Sequence, residues 1–80
     1  MEEKNNLYDK SIKIDISNFP KIVKEYIARL EHYDEIDDEL NYLLELDNFD
    51  AMLKSVVLNG GLSEKMYYKL MYKYGGEYDE

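Results

Sequence analysis

The groups most able to do chemistry in this chain are carboxylates, and they are crowded. Residues 31–50 hold nine of them (Glu31, Asp34, Glu35, Asp37, Asp38, Glu39, Glu45, Asp47 and Asp50) and no lysine or arginine. Such a density raises three possibilities: a cation site, acid–base catalysis, or imitation of a phosphate backbone. An EF-hand loop needs oxygen ligands at its first, third and fifth positions, glycine at the sixth and glutamate at the twelfth. A loop begun at Asp34 places Ile36 third and Glu39 sixth, so it fails twice. A carboxylate-bridged di-iron site draws on Glu-x-x-His motifs, and the residue three before the single histidine, His32, is Arg29. Neither a metal nor another cofactor is expected.

Nucleophilic catalysis fares no better. A serine nucleophile needs a base, normally histidine, and only His32 is present for Ser11, Ser17, Ser55 and Ser63. Ser17 and Ser63 already read as helix-entry or capping residues, and His32 near the end of a helix suits the negative pole of its dipole. Gly60-Gly61 lacks the preceding strand and the lysine of a phosphate-binding loop. An enzyme is therefore not expected.

What remains is binding through charge. The net charge is -8, yet outside the acidic block the sum is +10 - 9 = +1, so one stretch carries the whole acidic character. Such a surface repels nucleic acid and anionic lipid and favours a basic protein partner. Twenty helical residues span about 30 Å, which gives roughly one charge per 3.3 Å, near the phosphate spacing of one duplex strand. Asp34, Asp38, Tyr42 and Glu45, flanked by Glu31 and Glu35, are the expected contact set, with Asp34, Asp38 and Glu45 pointing outward and Tyr42 stacking on arginine. A plain solvated face is the competing account of the same residues.

The elements that would carry these groups follow from periodicity. Residues 1–10 read as a loose polar arm. Ser11 to Ser17 alternates strictly, putting Ile12, Ile14 and Ile16 on one face of an extended segment or strand. A lone strand must pack as an arm, pair with its copy in a homodimer, or add to another protein's sheet. Asn18 and Pro20 open a helix over about 19–33, with Phe19, Ile22, Val23, Tyr26, Ile27, Leu30 and Tyr33 on its buried face. A second helix is expected from Asp34 or Glu35 with Ile36, Leu40, Leu43 and Leu44 inward. Asp47 would then rotate onto the apolar side, so residues 34–58 are expected to be one kinked helix or two. Phe49, Met52, Leu53, Val56 and Val57 make the next inward stripe. Asn59-Gly60-Gly61 ends it, Ser63 caps a last helix, and Met66, Tyr67, Leu70, Met71 and Tyr74 face inward there.

From Leu53 the run Leu-Lys, Gly60-Gly61, Leu62-Ser63-Glu64-Lys65, Tyr67 and Leu70 resembles the SHOCT domain, a short helical hairpin. Met66 stands where that family usually has glutamate, and the resemblance covers about a quarter of the chain. It implies hairpin geometry and a role in oligomerisation. In size and acidity the chain also resembles the anti-restriction and anti-CRISPR proteins of phages and mobile elements, a resemblance of character and not of motif.

At 80 residues with no cysteine, a single domain without disulfides is expected. No apolar stretch approaches a membrane span, no signal-peptide layout opens the chain, and a cytoplasmic location follows. The expected organisation is an all-α bundle of three to four short helices with one N-terminal extended segment or strand: arm 1–10, extended segment 11–17, helical core 18–75 and tail 76–80. The leading functional expectation is a small acidic module that occupies a basic, nucleic-acid-binding surface, as an inhibitor of a host defence nuclease. The first alternative is a homo-oligomerising or adaptor module. The second is a DNA-binding regulator presenting Lys65, Lys69 and Lys73.

Overall fold

The computed structural model describes residues 7–76. Helix α1 (Lys21–Glu35) begins behind Pro20, whose fixed backbone angle suits a helix entry and whose carbonyl accepts the Val23 and Lys24 amides. Val23, Ile27, Leu30 and Asp34 recur every three or four residues and are its buried line. The helix runs two residues further than the periodicity of its apolar residues predicts, so Asp34 belongs to its last turn and not to the start of the next helix. His32 lies in that last turn, beside the dipole's negative end.

The turn to α2 is closed by two reversed hydrogen bonds, Asp37 N–H to Asp34 O at 3.1 Å and Asp38 N–H to Tyr33 O at 2.9 Å. This arrangement requires a left-handed residue between them, and Asp37 supplies it with φ of 59°. Asp38 then caps α2 (Glu39–Leu58), its side chain accepting the Asn41 amide at 3.3 Å.

Helix α2 is continuous, which corrects the expected break near Asp47-Asn48. Its inward line is Tyr42, Leu46, Phe49, Leu53 and Val57, spaced four, three, four and four residues apart. At about 100° per residue that line leaves Asp47 on the opposite, solvated side, so nothing forces the helix to stop. The same rotation turns Ile36, Leu40, Leu43 and Leu44 outward, against expectation.

The second turn repeats the first. Gly60 N–H reaches Val57 O at 3.0 Å and Gly61 N–H reaches Val56 O at 2.9 Å, with Gly60 left-handed at φ of 80°. Ser63 caps α3 (Glu64–Gly75) by accepting the Met66 amide at 3.1 Å. Tyr67, Leu70, Met71 and Tyr74 are buried as the spacing predicts.

No strand is present among the described residues; residues 11–17 are an arm laid on the helices. The alternation survives as exposure, with Ile12, Ile14 and Ile16 half-buried between exposed neighbours, and Ile14 and Ile16 against the core. Residues 7–10 are not loose. Leu7 N–H donates to Asp34 at the end of α1, Asp9 N–H donates to Lys73 O in α3 at 3.0 Å, and the Tyr8 ring lies 4.9 Å from that of Tyr74. The arm thus bridges α1 and α3. The expected loose segment 1–6 and most of the tail, 77–80, fall outside the described residues. Among the described residues no helix is long and apolar enough to cross a membrane.

Candidate protein-interaction surface

The six residues expected to make contact are dispersed by the fold into three environments. Asp34 is buried, correcting its expected outward aim: one carboxylate oxygen accepts the Leu7 amide at 2.7 Å and the other lies 3.3 Å from Lys10 Nζ. That pairing raises the lysine's pKa, chiefly through its hydrogen bond to Asp34. Tyr42 is also buried, and its hydroxyl donates to Tyr74 O at 2.8 Å. Glu31 accepts the Tyr74 hydroxyl at 2.9 Å. Burial pushes both phenols, Tyr42 and Tyr74, well above the ordinary tyrosine range; the Glu31 carboxylate adds to this at Tyr74. They are neutral donors at any physiological pH. Asp34, Tyr42 and Glu31 therefore join an internal tyrosine–carboxylate network that fastens the arm, and every buried side-chain polar atom among the described residues has a partner.

Glu45 faces α1, held by Arg29 Nε at 3.0 Å, and this contact raises the arginine's pKa. The guanidinium also covers the Tyr26 ring at 4.4 Å. Asp50 accepts the Tyr67 hydroxyl and sits 3.4 Å from Lys54 Nζ. Asp38 is half-buried as the α2 cap and binds Asn41 Nδ2 at 2.7 Å. Of the six, only Glu35 is an exposed carboxylate for which no hydrogen bond or ion pair is evident.

In their place the fold exposes large aliphatic groups. Leu40 is 71% exposed, Leu44 57%, Ile36 54% and Leu43 51%, while Tyr42 between them is 1% exposed. Together they form an apolar stripe over the turn and the first turns of α2, bordered by the exposed acids Glu35, Asp37, Glu39 and Asp47. The sequence reading misses it because, in a helix begun at Asp34 or Glu35, Ile36, Leu40, Leu43 and Leu44 themselves repeat at helical spacing and read as the buried face. The available signal was spacing: Tyr42, Leu46, Phe49 and Leu53 form an unbroken line, and Leu40 and Leu44 fall opposite it.

A second surface lies at the other end of α2. Lys54, Val57, Leu58, Glu64, Tyr67 and Tyr68 line an open groove of about 320 Å³ at the hairpin. Leu58 is 87% exposed at its lip. Beside it, Lys65, Tyr68, Lys69 and Tyr72 occupy consecutive turns of one exposed face of α3.

Comparison with known proteins gives no match to a family model, a curated protein or a solved structure.

Proposed function

We propose that this chain is a non-enzymatic protein-binding module that docks its α2 stripe onto a partner surface with an apolar centre and a basic rim. The observation that carries this reading is the joint exposure of Ile36, Leu40, Leu43 and Leu44 in a small domain that buries Tyr42 on the same helix. Exposed aliphatics in a contiguous stripe with a polar border are characteristic of interaction sites. The acids at the border supply orientation and speed of encounter, and the leucines supply affinity. A nucleic-acid-binding effector, a defence nuclease among them, is one class of partner with such a rim. Imitation of phosphates by the acids alone draws less support, because Asp34 is buried and Glu45, Glu31 and Asp50 are each held by a side chain of the same molecule.

The test uses a synthetic amphipathic helical peptide of leucine and lysine as the probe, titrated into the full chain while amide shifts are followed. Shifts should map to residues 36–48, and Leu40→Ser with Leu44→Ser should weaken binding at least tenfold, since each buried leucine is worth about 1.5 kcal/mol or more. A peptide of the same composition with its leucines scattered around the helix should bind far less tightly. Equal affinity for both peptides, or an unaffected double variant, overturns the reading.

A further inference from the structure

The two surfaces at the ends of α2 are complementary to each other and not to themselves. The stripe is apolar with an acidic border, and the block that carries it contains no lysine or arginine. Pairing two stripes about a two-fold axis sets acids against acids, and like charges face to face are repulsive. The hairpin end is apolar with a mainly basic border: Leu58 and Val57 lie in the groove with Lys54 and the single carboxylate Glu64 in its lining, Lys65 and Lys69 stand beside it, and Tyr68 and Tyr72 are exposed between them. Lysine and tyrosine are the residues that pair with carboxylates at a rim while still burying apolar surface.

The two surfaces also lie on one rigid element, so both cannot be satisfied within a single molecule. Helix α2 is about 30 Å long, with Leu40 in its first turn and Leu58 at its last residue. We propose that the occupant of the stripe is the hairpin end of a second copy of this chain, a head-to-tail contact. This rests on the preceding reading of the stripe as a docking surface and names its partner. The carboxylates of Glu39 and Asp47 meet Lys65 and Lys69, and Leu40 and Leu44 enter the groove at Leu58. Long-range repulsion between two molecules of net charge -8 is screened beyond about 8 Å at physiological ionic strength, so the local match decides. A contact between different patches is not complete at two copies as a two-fold dimer is; each pair leaves one stripe and one groove free, and further copies add until a ring closes or an open chain forms.

The experiment is sedimentation equilibrium of the full chain and of two variants, each confirmed as helical by circular dichroism. The wild type should rise in weight-average mass from 9.6 kDa past the dimer value as concentration increases. Leu40→Ser/Leu44→Ser lacks a stripe and Leu58→Ser/Lys65→Glu/Lys69→Glu lacks a groove, so each alone should remain monomeric. Mixed, they should form a one-to-one pair that stops at two chains, because one intact stripe meets one intact groove. A wild type that stays monomeric to about 1 mM, or a dimer that the lysine reversals leave intact, overturns the head-to-tail contact. The peptide titration separates this failure from that of the broader reading: a monomeric wild type whose stripe still binds the leucine–lysine peptide retains the docking surface and loses only the self-contact.

Discussion

The two turns that bracket α2 use the same pair of reversed hydrogen bonds and differ in the residue at their left-handed position. Gly60 occupies it in the turn to α3, at no steric cost, and Asp37 occupies it in the turn from α1. The glycine turn can be read in the sequence. The aspartate turn cannot, since Asp37 is one acid among nine. Without it α2 starts four or five residues early, at Asp34 or Glu35 in place of Glu39, which adds Ile36 in line with Leu40, Leu43 and Leu44 and makes that side look like the buried face.

The largest expected effect tests that direction. Tyr42→Ala removes a fully buried ring together with its hydrogen bond to Tyr74 O, and should cost about 3–5 kcal/mol. Leu44→Ala, two residues away and mostly exposed, should stay within about 0.5 kcal/mol. Urea denaturation of both variants reads the contrast, and similar losses at the two positions would show the register to be wrong. The next effect tests the glycine turn. Gly60→Val puts a β-branched side chain at φ of 80° and should lower stability by about 1–2 kcal/mol, visible as a reduced melting temperature. The smallest tests its counterpart. Asp37→Gly relieves a left-handed non-glycine residue and one charge of the acidic block, so the midpoint should rise by the equivalent of less than about 1 kcal/mol. A loss there would mean that the Asp37 side chain contributes to the turn.

The acidic block illustrates why composition alone misplaces a site. The block is a fact of sequence, but its members have unlike fates. Asp34 anchors the arm by its backbone and by Lys10; Glu31 holds Tyr74; Glu45 is paired across to Arg29; Asp38 caps a helix. Apart from the Asp38 cap, none of these roles has a local signature, because each depends on a residue between 16 and 43 positions away. The arm makes the same point from the other side. Its alternation is legible at Ile12, Ile14 and Ile16, whereas the anchoring of its first residues, Leu7 to Asp9, depends on Asp34, Lys73 and Tyr74 far along the chain.

By itself the sequence determined the helical class, the body of α1, the glycine turn, the Ser63 cap and the buried face of α3, all of which rest on spacings of three or four residues and on residues with strong local preferences. For α2 the sequence offers two apolar lines, Leu40-Leu43-Leu44 and Tyr42-Leu46-Phe49-Leu53, and the tertiary structure decided which is inside. Tyrosine carries a large apolar ring and one hydroxyl, and whether it can be buried depends on an acceptor placed for that hydroxyl by another part of the chain. Tyr74 O supplies it for Tyr42, 32 residues away. With the ring accommodated, Leu40 and Leu44 are left on the far side of the helix, and the exposed stripe is the consequence.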